Sequence, residues 1–202
     1  MCIVLCRIGY EHTGGWWTTI VLAQALARNP QSASGTGIAA NGQLMTPREH
    51  LISHLMTRTE LLEFMRTQRL GVQTSVGAAG RPQAALVGVA VTSSLELVFD
   101  TLATTRKLMN LRRNPRLAFV IGGWVDGDER TVQYEGIADE PQGAELARVK
   151  DAYFAAWPDG RLRQTWPGLL YVRVRPMWIR YSDFSQRPPF IVEFDERQLS
   201  SG

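Results

Sequence analysis

The sequence predicts an α+β domain built around a six-stranded antiparallel β-barrel that is closed or partly closed. After Leu70 the chain consists mainly of short extended runs separated by Gly, Pro and Ser, and few helical stretches interrupt them. The 202 residues, 45% hydrophobic and 20% charged, are enough for one substantial core. A barrel this small is filled by its own side chains, so we expect a ligand to lie outside it or between subunits.

Residues 1–44 differ in composition from the rest of the chain, because short apolar runs are followed by a small, polar, turn-prone stretch. We interpret them as an accessory, poorly ordered extension that the fold does not need. The alternative is a packing role, in which Trp16, Trp17 and the apolar run after them cover the barrel or a dimer seam. Thr46 and Glu49 then form a capping box with Pro47 at the first helical position, so the organised domain, residues 45–202, is expected to begin there.

A second capping box, Thr57 and Glu60, begins a helix over residues 59–68 with one apolar face. Two more helices are predicted over residues 106–113 and 141–157. The predicted strands have β-type composition and turn residues at their ends, and they cover residues 71–76, 83–92, 95–100, 116–124, 130–140 and 169–183.

Composition argues against several classes of function. The formal net charge is only +3, with the basic excess concentrated in one segment, which gives little support for a nucleic-acid-binding protein. Cys2 and Cys6 lie far from the three histidines, so the sequence predicts no disulfide framework and no metal site. His50 and His54 are interpreted as surface residues. No apolar run is long enough to span a bilayer, and we expect a cytoplasmic protein without a membrane partner.

The segment TTRKLMNLRRNP, residues 104–115, predicts a site for a single phosphate monoester. Arg106 and Lys107 fall in the first turn of the predicted helix, where free backbone N–H groups and the hydroxyls of the preceding loop also converge. Arginine offers a planar fork for phosphate oxygens, and lysine adds a compact positive charge. Arg112, Arg113 and Arg116 come later, where cations offset the C-terminal end of the helix dipole, so we interpret them as structural.

The wider segment FDTLATTRKLMNLRRNPRLAFVIGGW, residues 99–124, resembles the signature of the flavin-binding split barrels related to pyridoxamine 5′-phosphate oxidase. A strand, a Thr-containing loop, a Ser/Thr-Arg-Lys triplet and an Asn-Pro stop follow one another in the order found in that family. The likeness extends from about residue 57 to about residue 183. It implies a six-stranded antiparallel split β-barrel with flanking helices that binds FMN.

The resemblance also implies a homodimer with FMN in a groove between the subunits. The FMN phosphate is expected on Thr105, Arg106, Lys107 and the hydroxyl of Thr101, and the strand backbone over residues 83–88 is expected along the flavin edge. Thr131 stands where the family often has a glutamine that reaches the ring, and Trp178 is either a partner-subunit contact or part of the core. The implied cofactor-binding residues are Gln83, Leu86, Val87, Phe99, Thr101, Thr105, Arg106, Lys107, Thr131 and Trp178.

The chain departs from the oxidases of this family at positions that serve the substrate. Gln83 and Gly88 stand where those enzymes have an arginine and a lysine that serve the phosphates of cofactor and substrate. Their C-terminal arginine- and histidine-containing motif is replaced here by RPMWIRYSDFSQRPPF. Oxidation of pyridoxamine 5′-phosphate is therefore not the expected activity. Three hypotheses stay open, namely an FMN-dependent oxidoreductase with an unidentified small substrate, a deazaflavin-dependent reductase, and a non-enzymatic flavin carrier or sensor.

Overall fold

The computed structural model describes residues 56–123 and 125–200. The predicted extension, residues 1–44, lies outside them, as do the capping box of Thr46 and Glu49, the two cysteines and the three histidines. The dispensability of the extension stays a prediction. None of the helices within the described residues is long and apolar enough to cross a membrane.

Eight strands and five helices make up the described chain. The strands are β1 Leu70–Val76, β2 Pro82–Gly88, β3 Ala90–Val91, β4 Leu97–Leu102, β5 Arg116–Gly122, β6 Arg130–Asp139, β7 Leu169–Asp183 and β8 Phe190–Phe194. The helices are α1 Arg58–Thr67, α2 Arg106–Arg113, α3 Gly143–Ala156, α4 Gly160–Arg163 and α5 Glu196–Ser200.

The strands form one antiparallel sheet in the order β2-β1-β5-β6-β7-β4-β3, with β8 also paired to β7. The sheet curls into a half-barrel, which confirms the split-barrel fold. It has eight strands rather than six, for two reasons. The predicted strand over residues 83–92 divides at Val89, because β2 pairs with β1 whereas β3 pairs with β4 on the far side of the barrel. The second reason is the C-terminal strand β8, which was not predicted.

The barrel interior is packed with side chains that alternate along the strands. Phe99, Phe119 and Tyr134 are fully buried, and their rings meet edge to face. The Tyr134 hydroxyl donates its one proton to the carbonyl of Val174 at 2.8 Å, with the Leu95 carbonyl also within 3.2 Å, so its buried hydroxyl has a partner. Burial raises the pKa of this phenol well above its ordinary value. The interior is therefore filled with side chains, and the binding of a ligand outside it stays a prediction.

Helix α1 begins at the predicted capping box. The Glu60 amide donates to Thr57 Oγ1, and the Thr57 amide donates to the Glu60 carboxylate at 2.7 Å. Leu61, Phe64 and Met65 on one face of this helix are buried against the barrel. Helix α3 covers the outer side of β4 and β7 through a second, smaller apolar cluster.

Candidate functional site

A cleft of about 490 Å³ opens between the free edge of β2 and the start of α2. The residues that line it are Gln73, Ser75, Gln83, Ala84, Ala85, Thr105, Arg106 and Lys107. β2 lies at one end of the strand order and β3 at the other, so the cleft lies at the split of the barrel. The fold thus brings together the predicted residues Gln83, Thr105, Arg106 and Lys107.

The start of α2 offers backbone donors to this cleft. Helix α2 begins after Thr105, and its first internal hydrogen bond runs from the Met109 amide to the Thr105 carbonyl. The amides of the first helical turn before Met109 therefore have no carbonyl acceptor within the helix. Thr105 does not cap them: its side chain accepts no hydrogen bond from these amides, and its hydroxyl donates instead to the Leu102 carbonyl at 2.9 Å. These amides and the positive end of the helix dipole are available to an anion.

Two threonine hydroxyls form the side of the site toward β4. Thr101 Oγ1 lies 2.9 Å from Thr105 Oγ1. Because the Thr105 proton is already donated to Leu102, Thr101 is the donor of this pair. The hydroxyls hold the loop in place, and a bound anion would be contacted by them only after one of them rotates.

The cations of the basic segment fall into two groups. Arg106 and Lys107 have no acidic partner within the described part of the chain, and no acidic residue occupies the first turn of α2. Arg112, in contrast, donates to Glu140 through Nε at 2.6 Å and Nη2 at 2.8 Å. Arg112 holds the pKa of Glu140 below its ordinary value. The structural interpretation of Arg112 is therefore supported, whereas Arg106 and Lys107 carry uncompensated charge at the cleft.

The prediction that Arg116 lies with Arg112 and Arg113 at the C-terminal end of the helix is wrong. Arg116 is the first residue of β5, beyond the end of α2 at Asn114. Pro115 disfavours helical geometry in the residue before it, which ends the helix earlier than Arg116.

A neutral side chain positions Arg106. The amide oxygen of Gln83 accepts from Arg106 Nε at 3.1 Å, the orientation required because a guanidinium only donates. In this orientation Gln83 Nε2 donates to the Asn110 side-chain amide 2.7 Å away, which must present its oxygen at that point. The same Asn110 atom lies 3.2 Å from Ser75 Oγ. Asn110 is buried, so this chain of amides fixes Arg106 from beneath. Gln83 is neutral and positions Arg106, whereas the resemblance places a second positive charge, an arginine, at this position in the oxidases.

The sequence did not single out Gln73, Ser75 or Asn110. All three are buried; Gln73 and Ser75 line the cleft, and Asn110 lies behind it in contact with Ser75. Asn110 follows Arg106 by four positions and so shares a helix face with it, a spacing that could have identified it. Gln73 and Ser75 occupy alternate positions of β1 and therefore point to the same face of the strand.

The remaining predicted residues take different places. Phe99 and Val87 are buried in the core, so only their backbone is available at the strand edge. Leu86 lies on the outer face of the sheet and is 58% exposed. Thr131 pairs with Gly122, which lies just past the Leu70 end of β1, whereas Gln83 pairs with Ser75 near the other end of that strand. Within one chain, Thr131 therefore does not lie beside Arg106. Trp178 pairs with Glu135 on the outer face and is only partly buried, so it is not a core residue.

Gly88, where the oxidases have a lysine, lies against an indole ring. A Cβ atom at Gly88 would come within 2.9 Å of Trp157 Cζ2. Trp157 is fixed there, because its Nε1 donates to the Val89 carbonyl at 3.0 Å and the Arg69 guanidinium lies 4.1 Å from the ring centroid. No side chain fits at position 88 without movement of Trp157.

The antiparallel half-barrel defines a split-barrel protein, and at its split the Arg-Lys helix start has no acidic partner among the described residues. This class includes FMN-binding members. The chain belongs to the pyridoxamine 5′-phosphate oxidase family, whose sequence profile matches residues 57–183. No curated protein sequence matches it significantly.

Solved structures of similar fold come from proteins with different ligands. A heme binding protein from Mycobacterium smegmatis superimposes with a TM-score of 0.61 and 16% identity, over 72% of this chain and 60% of that chain. A pyridoxamine 5′-phosphate oxidase-related, FMN binding protein from Nostoc punctiforme superimposes with a TM-score of 0.50 and 14% identity, over 76% of this chain and 94% of that chain. The heme storage protein HutZ from Vibrio cholerae superimposes with a TM-score of 0.51 and 15% identity, over 60% of this chain and 91% of that chain. At these identities the likeness shows the fold.

Proposed function

We propose that this chain is an FMN-dependent oxidoreductase that binds the FMN phosphate at the start of α2. The observation that carries the proposal is the pair Arg106 and Lys107, which have no acidic partner within the described residues and stand beside the free amides of the helix start. Such a set of donors matches the three terminal oxygens of a phosphate monoester.

The rest of the cleft fits an elongated ligand with a planar ring. Residues 83–88 of β2 extend from Arg106 toward Trp157, a length of about 17 Å at the rise of a β-strand. Because β2 is an edge strand of the sheet formed by the described residues, part of its backbone N–H and C=O groups have no partner among the described strands. These groups are free to hydrogen-bond with the polar edge of a flavin ring, in agreement with the role expected for the strand.

A homodimer is part of the proposal, supported by the outer face of the sheet. Leu86, Val72 and Val120 lie side by side across β2, β1 and β5, and Leu86 and Val120 are 58% and 42% exposed. Trp178 lies on this same face. A second copy that covered these side chains would remove them from water. It would also let Thr131 and Trp178 reach the ring of a flavin held by the other subunit, which they cannot reach within their own.

Bound FMN supplies hydride exchange at its N5 atom, and the protein contributes binding, orientation and exclusion of water. Arg106, positioned by Gln83, would hold the phosphate and so fix the depth of the ring along β2. The substrate is a small molecule. Pyridoxamine 5′-phosphate is disfavoured, because Gly88 and Trp157 leave no room for a second phosphate-binding lysine.

Heme binding is the competing function, favoured by the structural neighbours from Mycobacterium smegmatis and Vibrio cholerae. Heme iron is commonly held by histidine or cysteine. Residues 56–200 contain neither, since all three histidines and both cysteines precede Met56. The described residues that line the cleft give it a cationic end and include no histidine or cysteine, which favours a phosphate ester over heme.

The absorption spectrum of the purified protein tests the proposal. We expect the two bands of an oxidised flavin, either as purified or after addition of FMN. A single band shifted toward the violet would indicate a deazaflavin, and a heme Soret band with no flavin uptake would contradict the proposal. Turnover of bound FMN with electron donors then separates an enzyme from a flavin carrier.

A further inference from the structure

The inner face of β1 is polar where it should be part of the apolar core. Gln73 and Ser75 point to the same side of β1 and are only 1% and 2% exposed. On the adjacent strand β5, the inward residues are Leu117, Phe119 and Ile121, and Phe119 is the direct partner of Gln73. Packing alone would favour a leucine or methionine at position 73.

Local hydrogen bonding does not explain Gln73. Its Nε2 donates to the carbonyl of the adjacent Thr74 at 2.5 Å. Its Oε1 accepts no hydrogen bond within residues 56–123 and 125–200, and it is not fully enclosed, so it is open to the cleft. Burying most of an amide with only one of its two groups hydrogen-bonded is less favourable than burying an apolar side chain of the same size. Residues that break a local rule in this way are found at functional sites.

Gln73 and Ser75 line the floor of the cleft that Arg106 and Lys107 close at one end. Ala85, the direct partner of Gln73 on β2, has a small side chain that leaves room beside the floor. Strong cationic donors therefore lie at the end of the cleft, and neutral groups that both donate and accept lie along its floor. A phosphate ion uses only the first set. A phosphate ester whose carbon chain carries hydroxyl groups uses both.

We propose that Gln73, assisted by Ser75, binds the hydroxyl groups of a polyol chain attached to the phosphate. The inference rests on the proposed FMN site, where the ribityl chain is that polyol. Gln73 would then determine specificity, because it distinguishes a ribityl phosphate from other phosphate esters. The glutamine is retained for ligand binding although an apolar residue would pack better.

The test uses Gln73→Met, which keeps the length of the side chain and removes its hydrogen bonds. Flavin-free full-length protein is titrated with FMN, with riboflavin, and with lumiflavin, which has the same ring but a methyl group in place of the ribityl chain. We expect Gln73→Met to weaken the binding of FMN and of riboflavin about tenfold each. This is the effect of losing one hydrogen bond and leaving its partner unsatisfied in a buried place. Lumiflavin affinity should be unchanged, and the melting temperature of the flavin-free protein should be equal or higher.

Gln164→Leu is the matched control, because Gln164 is exposed and also donates only to a backbone carbonyl. It should change neither affinity nor melting temperature. Unchanged FMN affinity in Gln73→Met, or an equal loss for lumiflavin, would overturn the inference. A lower melting temperature for both Gln73→Met and Gln73→Leu would also overturn it, since the glutamine would then be structural. If the wild-type protein takes up no flavin at all, the proposed function itself fails, and the two failures are thus distinguishable.

Discussion

Arg106 Nε donates to the side-chain oxygen of Gln83 at 3.1 Å, so the first cation of α2 is held by a neutral partner. The same amide meets Asn110, which is buried and rests on Ser75. An arginine held in this way keeps its full charge for an external anion, whereas one paired with a carboxylate, like Arg112 with Glu140, is already neutralised.

Gln83→Leu should weaken FMN binding about fivefold to tenfold, because Arg106 loses its positioning partner and Asn110 loses a hydrogen bond. Riboflavin, which lacks the phosphate, should bind unchanged. Fluorescence titration of both flavins measures this. In the double variant with Arg106→Ala, the Gln83 effect on FMN should disappear, since the two residues act through one contact. Additive effects would show that Gln83 contacts the flavin independently of Arg106.

Gly88→Lys should destabilise the protein by about 1–3 kcal/mol, because a Cβ atom there would lie 2.9 Å from Trp157 Cζ2. It should not create pyridoxamine 5′-phosphate oxidase activity. Thermal unfolding checks the first point and an oxidation assay checks the second. Adding Trp157→Ala should recover part of the lost melting temperature. If Gly88→Lys alone is as stable as the wild type, Trp157 is free to move and the steric explanation is wrong.

Leu86→Glu should convert the proposed dimer to a monomer and reduce FMN affinity, because a charge would be buried at the centre of the apolar outer face. Light scattering at several protein concentrations measures the mass. Leu162→Glu is the matched control, since Leu162 is 79% exposed and lies on α4. A monomeric wild-type protein with FMN bound would refute the dimer.

Glu140→Gln should lower the free energy of unfolding by less than about 1 kcal/mol near neutral pH, since exposed ion pairs typically contribute only about 0.2–1 kcal/mol. Arg112 lowers the pKa of Glu140 from its ordinary value of 4.5. A carboxylate with a lowered pKa contributes stability above 4.5 and loses it as the pH falls through the lowered value. Denaturant unfolding from pH 7 to pH 3 should therefore show the difference from wild type shrinking below about pH 4.5. Glu193→Gln, whose carboxylate lies 3.8 Å from Arg180, should show a smaller effect throughout.

Local signals in the sequence predicted the structure well. The capping box of Thr57 and Glu60 depends on residues three apart, and the start of α2 depends on the loop directly before it. The break at Val89 and the strand β8 depend on which distant strands pair, and short apolar runs do not carry that information. The cations Arg106 and Lys107 could be picked out in the sequence because their signal is local. Gln73, Ser75 and Asn110 could not, because these three residues come together only when β1, β2 and α2 pack.

The central claim is that the start of α2 binds the phosphate of FMN, and the FMN affinity of Arg106→Ala relative to Arg113→Ala tests it most directly. Arg113 lies on the same helix, but at its other end. Loss of a charge-assisted contact of about 1.5–3 kcal/mol predicts that Arg106→Ala weakens FMN binding about tenfold to a hundredfold, with riboflavin unaffected. Arg113→Ala should bind FMN like the wild type. The reverse ranking, or an equal loss of riboflavin affinity in Arg106→Ala, would place the phosphate elsewhere.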